Sequence, residues 1–227
     1  MAVQLDNVVP FGRLFDEYVQ MFSLTETDLQ RSILSVADGP AGFNAQATQL
    51  GYRIQSVDPL YCFNANEIKQ QFNAVVDNII AQVKNSPDDW VWSYHKSPSD
   101  LRQNRETALQ WFCSDFDQGK TEGRYELGEL PHLNYPDASF DLGLCSHFLF
   151  LYSQQFDRTF HLHSVQEMLR ICREVRIFPL LNLDLKPSPH LEFVLENLTT
   201  LGYRCQLETV AYEFQRNGNT MLKITPQ

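Results

Sequence analysis

A glycine-containing turn and the carboxylate that follows it are the first residues in this sequence that can do chemistry. Gly39 and Gly42 lie in the loop from Asp38 to Gly42, between a short apolar segment and a helical pattern. Glycine lets the backbone approach a ligand closely, and the free N–H groups of a helix start attract an anion. Asp58 follows Gly39 by 19 residues, a spacing at which an acid after the next strand accepts the two hydroxyls of a ribose. The pair predicts a site for a nucleotide-like ligand.

Two other interpretations of this loop stay open from the residues alone. A glycine loop is often a plain tight turn, although the acid at Asp58 makes that interpretation the weaker one. The pattern Ala37-x-Gly39-x-x-Gly42 is one substitution away from the dinucleotide fingerprint. An NAD-dependent oxidoreductase is therefore an alternative.

Hydrophobic periodicity indicates which elements must hold these residues. Short apolar or alternating runs, typical of strands, alternate with stretches of helical period. Glycines end two of the helical stretches, at Gly51 and Gly202, and the Asn217-Gly218 pair between two alternating runs is typical of a hairpin. The predicted strands are residues 33–37, 52–57, 124–127, 140–145, 175–178, 203–214 and 220–225.

This order of elements predicts an α/β fold, a doubly wound and mostly parallel seven-stranded sheet with an antiparallel C-terminal strand. We expect a single domain over residues 1–227, with an N-terminal helical segment over residues 1–30. A helical insertion is expected over residues 64–122, between the second and third strands. In such sheets a ligand lies outside the carboxyl ends of the strands, so the residues directly after each strand are the candidate site.

The third and fourth predicted strands carry a more specific pattern. The run from Gly128 to Leu142, which includes Pro136-Asp137-Ala138-Ser139-Phe140-Asp141, resembles a segment of the class I S-adenosylmethionine-dependent methyltransferases. The residues Cys145-Ser146-His147-Phe148-Leu149 are similar to those that line the methyl-donor pocket in that family. The resemblance covers residues 33–58 and 124–224 and leaves the insertion unassigned.

The resemblance implies S-adenosylmethionine as the cofactor and gives each strand end a role. Implied contacts are Asp38, Gly39, Pro40 and Gly42 at the methionine part of the donor, Asp58 at its ribose, Leu60, Glu129 and Leu130 at its adenine, and Ser146 and His147 at its methionine part and the transferred methyl group.

The sequence departs from the family pattern at two positions of the first strand end. The family usually has an acid at the place of Ser35 and a glycine at the place of Ala37. The amino-acid end of the donor is therefore expected to be held differently here. Candidates for that wall are Arg13, Tyr18 and Met21 in the N-terminal helix, and Arg13 is the one suited to a carboxylate.

An acceptor that must lose a proton needs a base, and His147 is the first candidate because it directly follows a central strand. Tyr152, Tyr94 and His95 are further candidates. The insertion is expected to form the acceptor lid, although the aromatic run from Trp90 to Tyr94 fits packing of the insertion better than a substrate wall. The acceptor is a small molecule or a protein side chain, and a non-catalytic protein that binds the donor or its product is the alternative.

Composition excludes several other classes of function. The chain has 227 residues, with 28 acidic and 18 basic side chains and a net charge of −10, which argues against nucleic acid as a partner. The 5 cysteines form no C-x-x-C pair, so neither disulfides nor a thiolate metal site is expected. The N-terminus lacks the pattern of a secretory signal, and no apolar run is long enough to span a membrane. We therefore expect a cytoplasmic protein without a metal or a membrane partner.

Overall fold

The computed structural model describes residues 3–227 and contains one seven-stranded sheet. Its strands are β1 (Ile33–Val36), β2 (Ile54–Val57), β3 (Tyr125–Glu126), β4 (Phe140–Ser146), β5 (Cys172–Phe178), β6 (Tyr203–Thr209) and β7 (Thr220–Pro226). They lie in the order β3-β2-β1-β4-β5-β7-β6, and β7 alone runs in the opposite direction to the other strands. This is the class I methyltransferase topology, and it confirms the predicted fold class.

Helices pack around this sheet. They are α1 (Phe15–Met21), α2 (Glu26–Leu29), α3 (Phe43–Gln49), α4 (Ala65–Asn85), α5 (Pro98–Thr121), α6 (Arg158–Ile171) and α7 (Leu191–Thr200). Local sequence sets the start of the longer ones: Asn64 and Glu67 form a capping box at α4, and Ser97 followed by Pro98 begins α5. Among the helices of residues 3–227, none is both long and apolar enough to cross a membrane.

The register of the strands brings their carboxyl ends level with one another. Val36, the last residue of β1, is paired with Val57 in β2 and with Cys145 in β4. Val57 is in turn paired with Glu126 in β3. The residues that follow these four strands therefore meet along one edge of the sheet, which is where ligands bind in this class of fold.

The region between β2 and β3 forms two long helices with a buried interface. The α4 stripe of Ile68, Phe72 and Val76 is buried together with Phe112 and Phe116 of α5. The connection between the helices carries the aromatic run. Within it, the ring of Trp90 stacks on Phe214 at 4.7 Å, and Trp92 meets the edge of the same ring at 5.7 Å. These tryptophans pack against the C-terminal part of the chain.

Several strand boundaries differ from the sequence prediction by one to three residues, and two regions differ more. The strand predicted over residues 203–214 ends at Thr209, because the chain leaves the sheet there to pair with the connection at Trp90 and Val91. Within residues 3–30 the helices are α1 and α2. The segment from Val3 to Leu14 has no regular secondary structure, so Arg13 precedes the N-terminal helix in which it was expected. Pro10 and Gly12 explain why this segment does not continue the helical pattern towards the N-terminus.

Candidate functional site

A cavity of about 330 Å³ lies at the carboxyl ends of β1, β2, β3 and β4. Its volume falls in the range of sites for small molecules and cofactors. The cavity brings together most of the residues predicted from the sequence, namely Arg13, Tyr18, Asp38, Gly39, Asp58, Leu60, Glu129, Leu130, Ser146 and His147.

Asp58 joins two of the loops that line the cavity. Its Oδ2 accepts from the Gly39 N–H at 2.8 Å, and its Oδ1 accepts from the Leu60 N–H at 2.7 Å. Each carboxylate oxygen has room for a further donor. Burial raises the pKa of Asp58 to about 6, the two backbone N–H groups oppose this, and the nearby charges of Asp38 and Glu129 add to it. At pH 7 the side chain is mostly an ionised acceptor held at a fixed place.

Asp38 is held by hydroxyl groups. Its Oδ1 accepts from Ser35 at 2.6 Å and from the Tyr18 hydroxyl, and its Oδ2 accepts from Ser56 at 2.7 Å. Burial raises the pKa of Asp38, and these hydroxyls limit the rise. Ser35, where the resemblance led us to expect an acid, thus donates to an acid three residues later. Ala37 has a φ of +53°, which is the left-handed conformation that a glycine adopts without strain.

Glu129 and Leu130 form the wall beyond β3. Glu129 pairs with His132 across an isolated bridge, so the backbone turns sharply there. The preceding Gly128 lies so close to β2 that a Cβ would approach the Val57 side chain to 2.6 Å. This contact explains the glycine, because any side chain would push Glu129 away from the cavity.

Ser146 and His147 end β4 on the other side of β1. The His147 Nδ1 lies 2.9 Å from Ser146 Oγ, and Ser146 Oγ lies 3.9 Å from Met21 Sδ. The His147 backbone has a φ of +54°, and its N–H donates to the Phe178 carbonyl at 2.6 Å. Burial, together with the positive charges of Arg13 and Arg105, lowers the pKa of His147 well below its usual range. The imidazole is therefore neutral at pH 7.

Arg13 is the cation of the cavity lining. Its NH1 donates to the Phe11 carbonyl at 2.5 Å, whereas its Nε is buried without a hydrogen-bond partner. Within residues 3–227, none of the ion pairs at 4.0 Å or less involves this guanidinium. Burial and the neighbouring charge of Arg105 lower the pKa of Arg13 to about 10. Arg13 thus brings a charged side chain to the cavity wall, and its Nε is enclosed there without a partner.

A buried charged cluster lies behind Arg13. Arg105 donates to both carboxylate oxygens of Glu17, at 2.7 Å and 2.6 Å, and the Tyr212 hydroxyl donates to Glu17 Oε1 at 2.9 Å. His95 Nε2 lies 3.1 Å from an Arg105 nitrogen. Burial would raise the pKa of Glu17, but the charge of Arg105 holds it well below its usual range. We refer to Glu17, His95, Arg105 and Tyr212 as the buried cluster.

Two residues of the predicted site lie outside the cavity lining. Pro40 and Gly42 follow the turn but do not face the cavity. Gly42 instead packs against α5, where a Cβ would lie 3.1 Å from the Trp111 side chain, and its N–H donates to the Arg13 carbonyl at 2.9 Å. Gly42 therefore fixes the packing of α3 and the backbone of Arg13.

The additional candidate bases are also away from the cavity lining. The Tyr152 hydroxyl accepts from the Val9 N–H at 3.3 Å, the Tyr94 hydroxyl donates to Asp16, and His95 belongs to the buried cluster. His147 is the candidate base that the cavity contains. Clusters of three or more potential metal ligands do not occur in the described residues.

The sequence of the chain matches that of one known protein over nearly its whole length. No protein-family model matches the sequence. The chain is 33% identical over 223 residues to "Uncharacterized protein MJ0045" of Methanocaldococcus jannaschii, and the match covers 98% of each chain. The chain belongs to the family of MJ0045.

Solved structures resemble the chain in fold at low sequence identity. The PH0226 protein from Pyrococcus horikoshii has 13% identity and a TM-score of 0.48, over 93% of this chain and 89% of that one. The magnesium protoporphyrin IX methyltransferase ChlM from Synechocystis, solved with bound SAM, has 8% identity and a TM-score of 0.46, over 94% and 91%. This member of the MJ0045 family is assigned to the class I fold because of the strand order in its own sheet.

The residues on one side of the cavity were not predicted from the sequence. The N-terminal segment contributes Val8, Val9, Pro10 and Phe11, the insertion contributes Gln71, and the remaining aromatic walls are Phe63, Phe148 and Phe156. The signal for the first group is the apolar run directly before Arg13, which has neither helical nor alternating period. Here Val9, Pro10 and Phe11 are half-buried at the cavity wall, and Val8 is exposed at its rim.

Ligand affinity is expected to depend on pH through Asp58. If the carboxylate accepts the ribose hydroxyls, binding of S-adenosylhomocysteine weakens as the pH falls through about 6, since the protonated carboxyl is a poorer acceptor. Between pH 7.5 and pH 5 we expect roughly a tenfold loss of affinity by calorimetry. Burial moves the pKa of His147 in the opposite direction, well below its usual range.

The control is Asp58→Asn, which has no titrating group at this position and should give a flat profile. A wild-type affinity that does not change over the same pH range would contradict the role of Asp58 as a ligand acceptor.

Proposed function

We propose that the protein is an S-adenosylmethionine-dependent methyltransferase that acts on a small molecule or a protein side chain. The observation that supports this most directly is the convergence of four strand ends on one cavity, with Asp58 bridging the loops after β1 and β2. The acids after β2 and β3 support the proposal, because a ribose needs an acceptor for its hydroxyls and an adenine needs one for its amino group. The acidic lining of Asp38, Asp58 and Glu129 also suits a cationic donor.

The residues present fit the donor. Asp58 has unused acceptor capacity for the ribose hydroxyls, Glu129 is placed for the adenine amino group, and Leu60 and Leu130 provide apolar walls for the ring. The bound donor supplies a methyl group activated by a sulfonium. Because that group needs no further activation, the protein's task is to align the acceptor and to exclude water.

His147 is the residue we assign to the acceptor's proton. Ser146 Oγ can donate to Met21 Sδ while accepting from His147 Nδ1–H. In that tautomer His147 Nε2 has a free lone pair. A neutral imidazole beside the end of β4 can take the proton that an acceptor loses and pass it to solvent.

The first experiment is calorimetry with S-adenosylhomocysteine and with NAD on the same protein. Binding of S-adenosylhomocysteine without NAD supports the proposal, and the reverse result replaces it with the dinucleotide alternative. Release of labelled methyl groups to candidate acceptors then separates an enzyme from a protein that only binds the donor.

His147→Ala is expected to lower methyl transfer by about 10²–10⁴-fold while changing S-adenosylhomocysteine affinity much less. The reason is that the imidazole acts on the acceptor's proton and holds no part of the adenosyl group. His163→Ala is the matched control, because His163 is an exposed histidine on α6. Unchanged turnover of His147→Ala would remove this residue from the mechanism.

A further inference from the structure

The strand β6 forms one edge of the sheet, and within residues 3–227 no strand pairs with the side of it that faces away from β7. Residues 202 and 210, directly before and after β6, bond to the β7 side: Gln227 N–H donates to the Gly202 carbonyl at 3.2 Å, and Val210 N–H donates to the Asn219 carbonyl at 2.9 Å. Successive residues of an antiparallel strand alternate in the side to which their backbone groups point. The N–H and C=O groups at the free edge are therefore those of Tyr203, Cys205, Leu207 and Thr209.

This free edge lacks the usual protection of an edge strand. Natural proteins block such edges with prolines, lysines or bulges. The seven residues of β6 include neither proline nor lysine, and they pair residue for residue with β7, without a bulge. Leu207 on β6 is 56% exposed, and Leu201, just before the strand, is 57% exposed. Unpaired backbone groups beside exposed apolar side chains form a docking surface for another strand.

The sequence of β6 is complementary to itself when two copies run antiparallel with Gln206 at the centre. In that register Arg204 of each copy lies opposite Glu208 of the other, and Cys205 of each lies opposite Leu207 of the other. The register also places the outward-pointing backbone groups of the two strands opposite one another, so that each such pair of residues can exchange two hydrogen bonds. Charge, apolar contact and backbone pairing thus agree on one arrangement.

Arg204 and Glu208 have no counter-charge within one chain. Among the ion pairs at 4.0 Å or less that residues 3–227 form, none includes either side chain. The two lie on the same face of β6, but about 13 Å of strand separates them. Moving the centre of the pair by one residue in either direction puts Arg204 opposite Gln206 or Val210. The charges therefore favour the register centred on Gln206.

We propose that the free edge of β6 binds a second copy of this chain, in a symmetric dimer whose two β6 strands pair antiparallel about Gln206 and join the two sheets into one. A two-fold contact uses the same surface on both copies, which a self-complementary strand supplies. The cavity lies at the ends of β1 to β4, with β5 and β7 between it and β6. The dimer therefore leaves both cavities open, and this inference does not depend on which ligand they bind.

The first test reverses the charges and measures the dimer dissociation constant by sedimentation equilibrium. Arg204→Glu and Glu208→Arg each place like charges opposite one another at two symmetric positions, so each is expected to weaken the dimer at least about tenfold. The double variant Arg204→Glu/Glu208→Arg places opposite charges together again and should return to within about threefold of the wild type. The matched control is Lys69→Glu, an exposed lysine on α4, which should leave the dissociation constant unchanged.

The second test locates the contact by disulfide cross-linking, in a background in which the exposed Cys62 and the half-buried Cys205 are replaced by serine. In the proposed register the two Gln206 residues face each other at a Cα separation of about 4.5–5.5 Å, which a disulfide can bridge. Gln206→Cys should therefore form a cross-linked dimer under mild oxidation. Thr225→Cys, on the same face but one strand further in, should not.

Each outcome supports or overturns the dimer. A wild-type protein that stays monomeric up to about 100 µM overturns it, and so do assemblies larger than a dimer, because a two-fold strand pair closes on itself. A double variant no tighter than the single variants overturns the register. Equal cross-linking of Gln206→Cys and Thr225→Cys overturns the pairing of the β6 edges. Circular dichroism shows whether a variant that loses the dimer keeps its fold, and the cross-link tests the edge with both charges intact.

Discussion

Asp58→Ala is expected to weaken S-adenosylhomocysteine binding by about ten- to a hundredfold, the equivalent of roughly 1.5–3 kcal/mol. The carboxylate is buried, and both of its oxygens already accept from backbone N–H groups of the loops that line the cavity. Its removal takes away the acceptors that we propose for the ribose and also the bridge that holds Gly39 next to Leu60. Calorimetric titration measures the loss directly.

The unfolding free energy of Asp58→Ala should fall by only about 1 kcal/mol, because the side chain caps the short turn at Leu60 but fills no part of the apolar core. Asp58→Asn distinguishes the effect of lost side-chain volume from the effect of lost acceptors, since the amide keeps the shape but replaces one acceptor by a donor. It should lose nearly as much affinity as the alanine variant.

Two further variants provide affinity changes with which the loss in Asp58→Ala can be compared. Glu129→Ala should weaken binding less than Asp58→Ala, because the apolar walls that we propose for the adenine, Leu60 and Leu130, remain. Asp117→Ala, an exposed acid on α5, should have no effect. If Asp58→Ala binds S-adenosylhomocysteine as tightly as the wild type, the ribose assignment is wrong and the proposed function loses its main support.

Arg105→Met is expected to lower the unfolding free energy by about 3–5 kcal/mol, because it leaves the Glu17 carboxylate buried without its counter-charge. Arg105 and Glu17 are almost completely enclosed, and the Gly12 carbonyl also loses its donor. Urea-induced unfolding, followed by circular dichroism, measures the change. Removing both charges in Glu17→Leu/Arg105→Met should restore most of the loss, since no unpaired buried charge remains.

Arg102 provides the matched control on the same helix. It pairs with Asp77 and Glu106 at the surface, and its side chain is 38% exposed. Surface pairs of this kind contribute about 0–1 kcal/mol, so Arg102→Met should be close to neutral. If Arg105→Met costs no more than Arg102→Met, the buried cluster does not stabilise the fold.

The sequence was sufficient to predict which residues that directly follow a strand would lie at the cavity. Asp58 and His147 were predicted from the positions of strand ends, whereas Glu129 was implied by the family resemblance. The structure brings the three to one cavity because the register of the parallel strands levels their carboxyl ends. Gly42 was predicted on the same basis but faces α5. A loop pattern does not specify which of its glycines turns towards a ligand and which towards a helix.

The buried cluster could not have been predicted in the same way. Glu17 and Arg105 are 88 residues apart, and Glu17 and Tyr212 are 195 apart. Polar side chains within an apolar pattern are ordinarily expected at the surface, and only the packing of the insertion onto the N-terminal segment buries these. The cavity walls at Val9 and Phe11 depend on the same packing, which has no local signal.

The left-handed backbone at Ala37 and His147 has a consequence for the cost of binding. Each such conformation in a residue other than glycine costs on the order of 1–3 kcal/mol, and it persists only where the surroundings hold it. Here the pairing of Val36 with Val57 and Cys145 holds both strand ends. The entropy cost of ordering this edge of the sheet therefore falls on folding and not on binding. A ligand then binds to loops that are already ordered, and its affinity is not lowered by the cost of ordering them.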